Sequence, residues 1–141
     1  MNNIFPQGYA WIDNKYVELA EAKIPILDWG FLRSDATYDV VHVWQGRFFR
    51  LDKHIDRFFE STKKLRMPCQ ISRDALKKIL ANCVEKGKLE NAYVEMIQTR
   101  GMSPKFVRDP SLIDAFKNKT SVTFQISRSR DCLNVVSSMR N

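Results

Sequence analysis

Between Thr37 and Leu65 the hydrophobic period changes from two to 3.6 across one short turn, and that change constrains the fold more than anything else in the chain. Thr37 to Trp44 is rich in β-branched and aromatic residues, the composition of a strand with one packed face. Gln45-Gly46 supplies a turn, and Arg47-Phe48-Phe49-Arg50 is expected to return as a partner strand. Asp52 is expected to cap a helix whose Ile55, Phe58, Phe59, Thr62 and Leu65 share one face, before Pro68 stops the pattern. Ser72 caps a second expected helix, with Asp74 in its first turn and Gly87 at its end. Its buried stripe is Ala75, Leu76, Ile79, Leu80, Cys83 and Val84.

Strands flank this centre. Tyr9-Ala10-Trp11-Ile12 and Tyr16-Val17-Glu18-Leu19 are separated by Asp13-Asn14-Lys15, a hairpin signal. Asn91 to Thr99 reads as another strand. The resulting expectation is an α+β domain with a small mixed or antiparallel sheet and two helices packed on one of its faces. A domain over residues 1–110 is expected, followed at 111–141 by a linker remnant and an atypical, mobile basic tail. Within that second part, 111–116 reads as a short helix or linker. Ser121 to Ile126 reads as a strand with no patterned partner after it.

At 141 residues the chain is the size of one ordinary domain. No apolar run reaches the roughly 20 residues that span a bilayer. The opening Met1-Asn2-Asn3-Ile4-Phe5-Pro6 has neither a basic nor an apolar leader region, so a cytoplasmic location is expected. Cys69, Cys83 and Cys132 are odd in number and widely spaced, which argues against a disulfide framework and for a reducing compartment. His42 and His54 have no partner at metal-ligand spacing, so no metal is expected. The net charge is +7, of which residues 117–141 hold +4. The rest is a mixed, solvated surface, and neither nucleic acid nor membrane is expected as a partner.

Five positions invite a functional reading. His54, Arg57 and Ser61 share a helix stripe roughly opposite Ile55 and Phe59. By spacing alone that stripe is a solvated face, yet an arginine presented there can grip a phosphate through two charge-assisted bonds. Tyr38 alternates with Ala36 and Val40 on one strand face, where tyrosine is commonly a half-buried packing residue. Tyr93 and Glu95 are two apart and share a face of their strand. By themselves they are a packing residue and an exposed acid.

Three segments change those odds: Ser34-Asp35-Ala36-Thr37-Tyr38-Asp39-Val40, His54-Ile55-Asp56-Arg57, and Tyr93-Val94-Glu95 leading to Thr99-Arg100-Gly101. Together they resemble the N-terminal small domain of class IV, fold type IV, pyridoxal-phosphate-dependent aminotransferases. The resemblance covers roughly residues 8–110 and lies nearest the R-selective amine transaminase, D-amino-acid and branched-chain group. It implies that Arg57 binds the cofactor phosphate, and that Tyr38, Val40, Tyr93 and Glu95 shape the substrate pocket. Lys105 falls where D-amino-acid members place a carboxylate-binding arginine, and Val107 where they place a histidine. Branched-chain members carry arginine at the position of Glu95, and amine-transaminase relatives have histidine at that of Arg33. These are departures from each branch.

The implied reaction moves an amino group from an amino acid or amine to a keto acid, and the family's members are homodimers. The lysine that carries the cofactor belongs to a larger C-terminal domain, and residues 111–141 do not resemble it. The segment after about Phe116 reads as foreign to the family. The expectation is therefore an aminotransferase-related chain, truncated and inactive alone, with no catalytic residue of its own. The alternative is a non-catalytic dimerisation or interaction domain derived from that enzyme.

Overall fold

A computed structural model describes residues 7–105, 109, 111–112 and, as backbone, 119–125. Two strands open the chain, β1 (Tyr9–Ile12) and β2 (Lys15–Glu18), joined at Asp13 and Asn14, both at positive φ. After a 3₁₀ turn at Leu19–Glu21 comes a five-residue helix, α1 (Trp29–Arg33), which the sequence pattern does not announce. Asp28 caps it by accepting from the Gly30 amide at 2.7 Å. Strand β3 (Ala36–Trp44) turns at Gln45-Gly46 into β4 (Arg47–Phe48), two residues shorter than expected.

Helix α2 spans Leu51–Lys64 and α3 spans Arg73–Gly87, followed by β5 (Ala92–Thr99) and β6 (Lys119–Gln125). Ser72 caps α3 as expected, its side chain accepting from the Ala75 amide. Asp52 does not cap α2. The cap position is Arg50, at φ 50, and Asp52 sits in the first turn, where its carboxylate pairs with Lys77 of α3. An inter-helix ion pair takes the side chain that a local cap would have used.

The six strands form one sheet in the order β2-β1-β6-β5-β3-β4, with every pairing antiparallel. The strand expected at 121–126 exists at Lys119–Gln125 and does have partners. It lies between β1 and β5, pairing Trp11 with Val122 and Val94 with Phe124. Its partners are earlier strands, which is why nothing downstream announced them. The expected boundary at residue 110 thus falls inside the connection to a central strand.

One face of the sheet carries the helices. Val41 and Val43 of β3 and Ala92, Val94 and Met96 of β5 meet Ile55 and Phe58 of α2 and Leu76, Leu80 and Cys83 of α3 in a common core. Phe59 is only partly buried and Leu65 is exposed, so the buried stripe of α2 is narrower than expected. Gly30 fits α1 against β5 so closely that a Cβ there would lie 2.6 Å from Cγ2 of Thr99. Among the described residues, no helix is long and apolar enough to cross a membrane.

Candidate functional site

The period of two in β3 and β5 sorts their side chains cleanly. Asp39, Val41 and Val43 are buried on the helix side, while Tyr38, Val40 and His42 point to the helix-free side. In β5 the same alternation sends Val94 and Met96 to the core and Tyr93, Glu95 and Ile97 to the free face. The register sets Tyr38 opposite Ile97, Val40 opposite Glu95 and His42 opposite Tyr93. The four expected substrate residues Tyr38, Val40, Tyr93 and Glu95 therefore form one patch. Tyr38 is 65% exposed, so its ring and hydroxyl are available to a ligand.

His42 extends that patch and was missed. Its ring stacks on Tyr93 with centroids 5.0 Å apart and meets Trp44 edge-on at 6.3 Å. Burial lowers the affinity of His42 for its proton, keeping it neutral near pH 7. Burial also pushes the Glu95 carboxyl above its usual range. The alternation that paired Tyr38 with Val40 would have added His42 to the same face.

Arg57 lies on the helix-bearing side of β3, and the stripe that spacing alone makes a solvated face reaches Asp39 there. Its Nε donates to Oδ2 of Asp39 at 2.6 Å and its Nη2 to Oδ1 at 2.9 Å. Nδ1 of His54 is 2.8 Å from the same Oδ1. Asp39 is the residue between Tyr38 and Val40, so the guanidinium is held one pleat away from the free face. Its side chain remains 65% exposed, and the edge that Asp39 does not use is open to a ligand. Asp39 was not singled out in the sequence, although a carboxylate on the buried side of a strand requires a partner.

Burial opposes ionisation of Asp39, but the hydrogen bonds and charges of Arg57 and His54 outweigh it and hold the carboxyl below the usual range. A depressed acid adds stability that is fully present above its unfolded value, near 3.8, and lost as pH falls through the folded value. The melting temperature should thus drop on acidification below pH ~4, and Asp39→Asn should flatten that limb. Identical acid limbs for both proteins in a calorimetric pH series would show that Asp39 is not so held.

The Thr99-Arg100-Gly101 run proves to be a joint. Arg100 is 4% exposed and donates to Asp35 through Nε at 2.8 Å and Nη2 at 3.1 Å. It also donates to the carbonyls of Leu65 at 3.0 Å and Arg66 at 2.9 Å, at the end of α2. Thr99 donates to Asp28, tying the start of α1 to the end of β5. Lys105 is exposed just beyond this joint, and Val107 and Cys132 lie outside the described residues.

The fit to the expected cofactor is one-sided. An exposed guanidinium with one edge clamped by a buried carboxylate suits a phosphate. Strands β3 and β5, which carry the patch of Tyr38, Val40, Tyr93 and Glu95, contain no lysine.

Proteins of known family share this fold. The sequence profile of the amino-transferase class IV family matches residues 36–133, more than half of the chain and well past Phe116, so the segment there is not foreign to the family. The D-alanine aminotransferase of Listeria monocytogenes is 31% identical over 91 residues, which is 64% of this chain and 32% of that protein. A putative branched-chain-amino-acid aminotransferase of Methanocaldococcus jannaschii is 26% identical over 92 residues, 65% of this chain and 32% of its own length. The chain thus spans about a third of the curated relatives it matches. Among solved structures, the branched-chain amino acid aminotransferase from Escherichia coli superposes with a TM-score of 0.75 at 18% identity, over 86% of this chain and 42% of that one. A second branched-chain amino acid aminotransferase, solved with pyridoxamine 5'-phosphate, gives 0.76 at 18% identity, over 88% of this chain and 42% of its own. That of the thermophilic archaeon Thermoproteus uzoniensis, solved with norvaline, gives 0.73 at 17% identity, over 86% of this chain and 41% of its own. The sheet, its helices and the matched profile together place this chain in the class IV aminotransferases.

Proposed function

We propose that this chain is the small-domain half of a pyridoxal-phosphate-dependent aminotransferase site. The observation that carries the reading is the gathering of Tyr38, Val40, Tyr93 and Glu95 on one helix-free face, with Arg57 clamped at the intervening Asp39. When bound, pyridoxal phosphate acts as the electron sink for moving an amino group between an amino acid or amine and a keto acid. Arg57 grips its phosphate, and Asp39 and His54 fix the guanidinium. Tyr38 and Val40 from one strand and Tyr93 and Glu95 from the next contact the substrate arm, with Lys105 at the margin as a carboxylate trap. The face carries an acid where a planar guanidinium fork would bind a carboxylate, which favours amine donors over dicarboxylates.

On this reading the 141-residue chain binds through the phosphate without completing amino transfer by itself, and works in a homodimer in the cytoplasm. The free thiol of Cys83, pushed by burial up to about 12, suits a reducing setting. The second reading, a non-catalytic dimerisation or interaction domain, is favoured by one feature. Ile24, Ile26, Leu27 and Phe31 expose between 46% and 65% of their surface along one segment.

The test compares pyridoxal phosphate with pyridoxal by NMR titration of the labelled chain. Shifts should centre on the Arg57 side chain, require the phosphate, and vanish in Arg57→Gln. Equal response to both ligands would sink the assignment of Arg57. Borohydride reduction of the same mixture should give only scattered, sub-stoichiometric lysine labelling. A single stoichiometric adduct would overturn the view that the chain is inactive alone.

A further inference from the structure

Two bidentate arginine–aspartate pairs join α2 to β3, one at each end of their contact. At the first, Arg57 of α2 grips Asp39 of β3. At the second, Arg100 grips Asp35, immediately before β3, and the carbonyls of Leu65 and Arg66, immediately after α2. The rails between these cross-links match in length. Arg57 to Leu65 is about 12 Å along a helix. Asp35 to Asp39 is about 13 Å along a strand. The helix runs from Arg57 to Leu65 as the strand runs from Asp39 back to Asp35, so sliding one rail strains both cross-links.

The two ends differ in burial. The Arg57 side chain is 65% exposed although Asp39 is only 4% exposed, so solvent screens this pair more than the second. The Arg100 side chain is 5% exposed, and its hydrogen bonds run to fixed backbone and to Asp35. Moving a buried guanidinium away from two carbonyls and a carboxylate leaves all of them unpaired, which is costly. The backbone repeats the link, since the Arg100 amide donates to the Asp35 carbonyl at 3.1 Å.

We propose that Arg100 and Asp35 are the positioning pair for the exposed anion site at Arg57, setting the register of α2 on β3 that brings Arg57 onto Asp39. Their role is not to touch the ligand. The proposal rests on Arg57 being the phosphate anchor only for its consequence in binding; the register itself is read without any ligand.

The experiment uses the full chain and the variants Arg100→Lys and Asp35→Asn, each confirmed as folded by its amide NMR spectrum. The first readout is the Asp39 carboxyl titration, followed by carbon-13 NMR, together with the Arg57 Nε–H signal. Asp39 faces Arg57 and His54, both from α2. In a folded variant with released register, the Asp39 midpoint should rise toward the ordinary carboxylate value and the Arg57 signal should broaden. A purely structural pair would lower the melting temperature and leave both signals where they are, and that result would overturn the proposal. Asp35→Asn keeps the shape of the joint and serves if Arg100→Lys does not fold. The second readout is inorganic phosphate affinity, which should weaken on the order of tenfold in either variant. If Arg57→Gln binds phosphate as well as the parent does, the anchor assignment fails, while the carboxyl titration still decides the register.

Discussion

Replacing Arg100 with methionine should destabilise the chain by about 3 kcal/mol, at the lower end of what breaking a buried ion pair costs. The lower end applies because Asp35 keeps 24% of its side chain in solvent and can recover some hydration. What remains is a partly buried carboxylate without its partner and two helix-terminal carbonyls without donors. A cycle separates the terms. Asp35→Asn combined with Arg100→Met should be less destabilised than the sum of the single changes, by about 1–3 kcal/mol, since the stranded charge is gone. Additive effects in urea denaturation would mean that the pair is not coupled, despite its geometry. The experiment also separates two meanings of the Thr-Arg-Gly run. Its arginine was notable in the sequence for bordering a site, whereas its bonds make it the bolt between three elements.

Much of the fold was legible because it rests on local periodicity. The strand over Ala92–Thr99, the helix from Ser72 to Gly87 and the turn at Gln45-Gly46 each follow from patterns within a dozen residues. The centre of the sheet was not legible. Strand β6 pairs with β1 and β5, and no local pattern says which distant strands will flank a segment. The cap of α2 failed for a related reason, since Lys77 of another helix claimed Asp52.

The site was legible in its parts and hidden in its joints. Strand alternation put Tyr38 with Val40 and Tyr93 with Glu95, and only register could set the two pairs side by side. Asp39, Asp35 and Arg100 stood in the sequence only as members of motifs, because their meaning lies in partners between 18 and 65 positions away. Charged residues that organise a fold look, in sequence, like charged residues that decorate it. The family resemblance supplied Arg57, but the carboxylate that makes its guanidinium a fixed feature came from the structure.

Truncating Phe58 to alanine should have the largest effect of any single change, about 3–5 kcal/mol. The ring is fully buried, packs edge-to-face on Phe59 at 6.2 Å, and belongs to the core that joins α2 to the sheet. Against a total of roughly 5–15 kcal/mol, that loss removes between about a fifth and all of the stability. The contrasting change is Phe31→Ala on α1, where a ring already 60% exposed should shift stability by no more than about 0.5 kcal/mol. Urea midpoints measured together test both, with unchanged slopes expected for Phe31→Ala. The comparison bears on function because Phe58 follows Arg57 directly. The helix turn that buries one residue presents the other, so the precision with which Arg57 meets Asp39 depends on the core behind it. If Phe58→Ala were tolerated like Phe31→Ala, α2 would not be anchored by its apolar face, and the polar cross-links would have to hold the helix unaided.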